Sequence, residues 1–375
     1  MKRKIIVAPD SFKGSISAQD AANAIREGLL RNARVQSNYE VLCVPIADGG
    51  EGTLEALTAP AQRVEETVTG PDGKPAKALW GANGSTAIIE MARAAGLTMV
   101  PENERNAATA TTFGVGELIL RALDAGYRQL LLTVGGSATN DGGCGMLAAL
   151  GARFLHADGS VFVPTGGTLC EIASIDASGL DPRLKDCHFT VATDVRNPLL
   201  GETGATRVYG RQKGADDAML DRMEAGMAHY AALLEAVCGK AIASVPGCGA
   251  GGGLAAPLIG FADTRLRSGI EAVLNNLGFD ELLRQNAALV ITGEGKIDRQ
   301  SLFGKAISGV AKAAARNALP VYCFVGCIGD DKEVLLSMGV RDIFATADLA
   351  SSPEDSMRRA GELLTLLAER FAEML

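Results

Sequence analysis

RKIIVAPDSFKGSISAQDAANAIREGLLRN, residues 3–32, reads as a strand, a loop and a helix in succession. Ile5-Ile6-Val7-Ala8 is an unbroken apolar run, the mark of a strand covered on both faces. Ser17 stands as a helix cap with Asp20 in the capping-box position. Ala21, Ala22, Ile25 and Leu29 then recur at helical spacing. YEVLCVPIADGGEGTLEALTA, residues 39–59, repeats the plan: a strand through Val44, a loop from Ala47 to Gly52, a helix. Towards the other end three more strands, ALVITGEG, LPVYCFVG and RDIFATAD, alternate with helices. Ser352 caps the last helix, with Pro353 at its first position and Asp355 at N3. This alternation predicts an α/β fold with a doubly wound parallel sheet, its five strands in the order 2-1-3-4-5.

The residues between these blocks follow another pattern. QRVEETVTGPDGKPAKALW, residues 62–80, places Pro-Asp-Gly between two alternating runs, a hairpin signature. Further strands (RQLLLTVGG, HFTVATDV) and helices follow. A length of 375 residues also exceeds one comfortable core. The expected plan is a discontinuous domain of residues 1–62 and 286–375, with a mixed-sheet α/β domain, 63–285, inserted into it.

Bulk properties narrow the function. The chain is 47% hydrophobic and 21% charged, with net charge −8 and no basic stripe, so nucleic acid is not an expected partner. No apolar run approaches the ~20 residues of a membrane span. The basic start, Met1 to Lys4, is followed by too short an apolar segment for a signal peptide. A cytoplasmic protein without a membrane partner is expected. The eight cysteines form no C-x-x-C pair, and His156, His188 and His229 fall in no motif. Buried reduced thiols are therefore expected, and a zinc site or a histidine-based triad is disfavoured.

Ligands of open α/β sheets bind outside the carboxyl ends of the strands, where strand order reverses. In the order above, that edge carries Asp10-Ser11-Phe12-Lys13-Gly14, Asp48-Gly49-Gly50-Glu51-Gly52-Thr53 and Thr292-Gly293-Glu294-Gly295-Lys296. The inserted domain offers TVGGSATNDGGCGM, residues 133–146, whose small residues can wrap a phosphate or a hydroxy-acid. It also offers ATDVRNPLLG, with Asp194, Arg196 and Asn197 after a strand. PGCGAGGGL, residues 246–254, contains a literal G-x-G-x-x-G, but Pro257 follows too soon for the long helix of a dinucleotide fold. A nicotinamide oxidoreductase is correspondingly a weak alternative.

LVITGEGKIDRQSLFGKA, residues 289–306, invites a P-loop reading through Gly304-Lys305. That motif requires glycine where Arg299 stands and Ser or Thr where Ala306 stands, so it fails. Glu294 and Asp298 could hold Mg²⁺ directly or through water. Carboxylates, lysines and Gly-rich loops, with no catalytic His or Cys, suit metal-assisted phosphoryl transfer in a cleft between two domains.

In order and spacing, IIVAPDSFKGS, PIADGGEGT, TVGGSATNDGGCGM, ATDVRNPLLG, VYGRQKGA and ITGEGKIDRQSLFGKA resemble the bacterial glycerate kinases of the glycerate 2-kinase type. The resemblance spans the whole chain. It implies a flavodoxin-like domain built from both chain ends with a second domain inserted, and ATP-dependent phosphorylation of D-glycerate, favouring the 2-position. Two departures are visible: the family usually has proline where Arg211 stands, and commonly a Gly-Lys-Ala-Pro run where this chain has Ile307 last. Matching motifs nominate Asp10, Ser11, Lys13, Asp48, Asn140 and Asn197 for the substrate. Asp194 or Asp141 is nominated to orient the acceptor hydroxyl, with Lys13 on the substrate carboxylate. Gly293, Gly295, Lys296 and, in second rank, Lys305 are nominated for the ATP phosphates, and Glu294 and Asp298 for Mg²⁺. A second copy of the chain, as a homodimer, is left open as a partner. A non-catalytic sugar-acid sensor is the alternative from another class.

Overall fold

The computed structural model describes residues 2–297, 306–329 and 332–375. Its principal strands are β1 (Arg3–Pro9), β2 (Tyr39–Cys43), β3 (Arg63–Thr69), β4 (Pro75–Asn83), β5 (Thr86–Glu90), β6 (Gln129–Thr133), β7 (His188–Ala192), β8 (Asp263–Arg267), β9 (Ala287–Gly293), β10 (Val321–Val325) and β11 (Val340–Ala345). Its longer or site-forming helices are α1 (Ala18–Leu30), α2 (Phe113–Asp124), α3 (Asp217–Cys238), α4 (Ala306–Arg316), α5 (Pro353–Arg358) and α6 (Ala360–Ala372). The chain divides into two compact units. One comprises Met1–Asp48, Glu55–Leu57 and Gly269–Leu375, and the other Gly49–Leu54 and Thr58–Ser268.

The terminal unit holds a five-stranded sheet in the order β11-β10-β9-β1-β2, every pairing parallel. This is the 2-1-3-4-5 order expected from the sequence. β9 is buried along its whole length, and Ile5 to Ala8 of β1 are fully buried between β9 and β2. Each such aliphatic side chain contributes about 1.5–3 kcal/mol by leaving water. Register is set by Ile5 facing Leu289 and Val7 facing Ile291. On one face, Phe324, Phe344 and Phe371 pack edge to face.

Ser17 caps α1 by accepting from the Asp20 N–H, and Ser352 caps α5 by accepting from that of Asp355. The expected final helix is broken, because Arg359 leaves helical geometry and α6 starts anew. Helices α1 and α6 approach so closely that a Cβ on Gly28 would lie 2.1 Å from the Thr365 carbonyl oxygen. The chain re-enters this unit at Gly269, earlier than residue 286. Ile270 explains the difference: it lies on Gly309 of α4, where an added Cβ would come within 2.3 Å of it.

The other unit contains a six-stranded mixed sheet, β8-β7-β6-β5-β4-β3. β3, β4 and β5 run antiparallel as a meander, and β5 to β8 are parallel. The Gly70–Lys74 turn joins β3 to β4 where the Pro-Asp-Gly signature stands, closed by the Gly70 N–H on the Lys74 carbonyl at 2.7 Å. Val115, Leu118, Ile119 and Ala122 of α2 belong to the apolar core built on this sheet. Among the described residues, no helix is long and apolar enough to cross a membrane.

Candidate active site

In the terminal unit, the carboxyl edge of the sheet is shaped by backbone pairing that continues beyond the strands. The Asp10 N–H donates to the Gly293 carbonyl at 2.8 Å, so β1 and β9 stay in register up to the loop. The Phe12 N–H donates to the Ile16 carbonyl, Phe12 is buried, and Gly14 has φ +76°, a left-handed value that suits glycine. This tight turn leaves Lys13 at its tip, 79% exposed and 3.8 Å from the Asp48 carboxylate. Asp48 is brought there because the chain after β2 keeps pairing with β1, through Val44 to Val7 and Ile46 to Pro9.

On the other side of β1, the Glu294 and Gly295 carbonyls accept from the Gly326 and Cys327 N–H groups, both at 3.1 Å. A Cβ on Gly293 would lie 1.8 Å from the Phe324 carbonyl oxygen, and one on Gly326 would lie 2.2 Å from that of Gly295. These glycines let the ends of β9 and β10 close on each other. For Gly293 this gives a packing reason for the residue type, and the residues after β9 that line the cavity begin with Glu294. Gly295 lies against Phe12 and Lys13 instead, at the cavity wall.

The loops enclose a cavity of about 690 Å³. Asp10, Ser11, Lys13, Asp48, Glu294, Gly295 and Lys296, all nominated from the sequence, line it. Asp10 is 6% exposed and accepts one hydrogen bond at 2.6 Å, from the Ser11 N–H. Burial pushes its carboxyl up to about 7, the Asp48 and Glu294 charges push the same way, and the Ser11 N–H and Lys13 pull back. Three carboxylates and two lysines thus share one cavity. Asp298, Lys305 and Gly304 lie outside the described residues. Among the described residues, no three His, Cys, Asp or Glu side chains converge as a ready metal cage.

The opposite wall of the same cavity was not legible as a site. It comes from the segment between β11 and α6, including Ala347, Ala350, Pro353 and Met357, and from Cys327. The sequence shows that segment only as a helix cap and a proline, because those of its residues that line the cavity are uncharged and carry no chemical signature.

In the inserted unit, the loop of residues 134–143 follows β6 and leads into a short helix, Cys144–Ala149. Asp141 is fully buried: one oxygen accepts from the Thr112 N–H and hydroxyl, both at 2.8 Å, and the Gly145 N–H at 3.2 Å. The other accepts from the Gly143 N–H at 3.1 Å. Burial raises its carboxyl, and these donors oppose the rise. Asn140 is also fully buried, giving its amide N–H to Thr206 while its Oδ1 has no hydrogen-bond partner among the described residues. Neither residue is the accessible substrate group expected from its motif. Asp194 is exposed just after β7. Asn197 is held in its own loop, donating to the Thr203 carbonyl and accepting from the Tyr209 hydroxyl, both at 2.7 Å.

Lys213, within VYGRQKGA, escaped sequence reasoning. It is buried, and its ammonium donates to the Ser137 hydroxyl at 2.7 Å and the Thr139 carbonyl at 2.6 Å. Desolvation lowers it to about 7, with Asp141 opposing. A lysine between a glutamine and a glycine has nothing in its local pattern to distinguish it from a solvated one. Pro246–Leu254 is a packing loop. No strand precedes its glycines, and a Cβ on Gly252 would sit 2.1 Å from the Thr139 carbonyl oxygen. The dinucleotide reading is thereby lost.

Residues 5–375 match the family described as the glycerate kinase family. The glycerate 2-kinase of Escherichia coli K12 is 44% identical over 95% of this chain and 94% of its own length. The glycerate kinase of Bacillus subtilis 168 is 45% identical over 98% and 97%. A crystal structure named as glycerate kinase 2 from Salmonella typhimurium LT2 superposes with TM-score 0.89 at 40% identity, covering 100% of this chain and 98% of its own. Full-length likeness in sequence and in fold, on top of an acidic and lysine-bearing edge at the sheet's switch point, means that the chain belongs to the glycerate kinase family of enzymes.

Proposed function

We propose that this enzyme transfers the terminal phosphoryl group of ATP to D-glycerate, giving 2-phosphoglycerate and ADP, with Mg²⁺ as the accompanying ion. The observation that carries the reading is the cavity at the switch point, where Asp10, Asp48 and Glu294 meet Lys13 and Lys296. Phosphoryl transfer asks for positioning and charge neutralisation more than for covalent chemistry. Lys13 and Lys296 neutralise anionic oxygens, the phosphates of ATP and the carboxylate of glycerate. Burial first, and the Asp48 and Glu294 charges after it, raise Asp10; these three carboxylates do not converge as a metal cage, and Glu294 is the described residue proposed to meet the ion, directly or through water. Bound Mg²⁺ would supply charge neutralisation at the transferring group.

Asp141 is reassigned from the hydroxyl to holding its own loop, because both its oxygens are engaged. Asp194, which is exposed, retains the proposed role at the acceptor hydroxyl. Asp194→Asn should lower turnover by at least ~10², the usual scale for a positioned acid or base, with an unchanged melting curve. Wild-type turnover would remove it from the scheme.

The deciding assay supplies ATP, Mg²⁺ and D-glycerate and couples the product through enolase and pyruvate kinase. Signal without added phosphoglycerate mutase identifies the 2-phosphate, and a requirement for the mutase identifies the 3-phosphate. Absence of ADP release ends the kinase reading.

A further inference from the structure

We infer that the uncharged wall of the terminal unit's cavity, built by Ala347, Ala350, Pro353 and Met357, seats the purine base of the nucleotide, with its phosphates towards Lys13 and Lys296. The inference rests on the kinase reading and adds where the nucleoside lies. Size is the first argument. A cavity of about 690 Å³ lies in the range that holds drug-sized ligands and far exceeds what a three-carbon acid fills.

Segregation is the second. Asp10, Lys13, Asp48, Glu294 and Lys296 all come from the loops after β1, β2 and β9. The lining residues between Thr346 and Ala360 include no charged side chain. One occupant suits both ends: a polyanion with a flat apolar head.

The state of Met357 is the third. It is 52% exposed although large and apolar, and it lines the cavity together with Ala347, Ala350 and Pro353. Methionine makes favourable sulfur–aromatic contacts and adapts to a planar ring.

The wall is also preformed. The Ala347 N–H donates to the Gly326 carbonyl at 3.0 Å, and the Thr346 hydroxyl lies 3.1 Å from that of Ser356. The Ser15 hydroxyl donates to the Met357 carbonyl, tying the Lys13 turn to α5. Preorganisation of this kind reduces the ordering cost of binding.

The test uses the full chain, with ADP and inorganic tripolyphosphate titrated separately by calorimetry. Ala347→Trp fills the proposed seat, and Met357→Ala removes its platform. The expected result is a fall in ADP affinity of roughly tenfold or more for Ala347→Trp and about threefold for Met357→Ala, following the loss of one stacking or apolar contact. Tripolyphosphate affinity should be unchanged, the Michaelis constant for ATP should rise in parallel, and that for glycerate should stay. Melting curves of both variants verify folding, and either variant alone suffices. Equal losses for ADP and tripolyphosphate, or no loss for either, would overturn the seat. If the wild type binds ADP as expected but never phosphorylates glycerate, the kinase reading falls and the seat stands.

Discussion

Asp10 and Asp141 are both buried aspartates in loops that follow parallel strands, and they are opposite in character. Asp141 has four donors on its two oxygens, and Lys213, whose charge it feels, is itself buried and committed to the same loop. Among the described residues, Asp10 has one N–H donor, with two carboxylates and Lys13 nearby. A carboxylate that the fold has satisfied holds structure together. A buried carboxylate with few donors and like charges beside it is instead a candidate for ligand binding.

The widest gap should appear in activity. Asp10→Asn should lower turnover by about 10²–10³, the range for removing one preorganised electrostatic group, as measured in the coupled assay. Asp141→Asn should have its main effect elsewhere, and comparable turnover losses in equally stable variants would collapse the contrast.

Stability should show the reverse. Asp141→Ala leaves the Thr112, Gly143 and Gly145 N–H groups buried without an acceptor, at about 1–3 kcal/mol each before relaxation. A net loss of about 3–5 kcal/mol in denaturant unfolding is expected, and a loss under 1 kcal/mol would show that the loop does not depend on it.

Acidity sharpens the comparison further. A carboxyl raised from 3.8 to about 7 binds its proton more tightly in the folded state. Without ligand, stability from Asp10 is therefore present below about pH 4 and lost as pH rises towards 7. Asp10→Asn should then raise ligand-free stability at pH 8 by roughly 2–4 kcal/mol, while it lowers activity. A variant less stable than wild type at pH 8 would show that Asp10 is not in deficit.

The smallest effect concerns packing away from either loop. Gly28→Ala drives a methyl into the Thr365 carbonyl and should cost about 1–3 kcal/mol with no change in the Michaelis constants. A shift in the constant for ATP would mean that the α1–α6 contact reaches the cavity.

Strand order was readable because Ile5–Ala8 and Leu289–Ile291 are continuous apolar runs, and such runs have few places in an α/β fold. The candidate site was readable where loops carry charge, as at Asp10, Lys13, Asp48 and Glu294. It was unreadable where role depends on burial. Asp141 and Asn140 look like ligand groups in a glycine-rich loop, and only three-dimensional packing shows their side chains enclosed. Lys213 fails the other way, a surface-type residue whose position is set by Ser137 and Thr139, distant in sequence. Likewise, Ile270 claims its place in the terminal unit through a glycine on another helix, which no local pattern announces.

The pairing of β1 with β9 has a consequence for synthesis. The Thr292 hydroxyl meets the Ala8 carbonyl across 284 residues of chain. At ribosomal speeds of about 5–20 residues per second, that interval is roughly 15–60 s. During it, the apolar strand Ile5–Ala8 has emerged while its central partner has not yet been made. The inserted unit can meanwhile complete its own core, so the nascent protein assembles from the middle outwards. Exposure of β1 in that window makes the first strand a segment that depends on protection by chaperones.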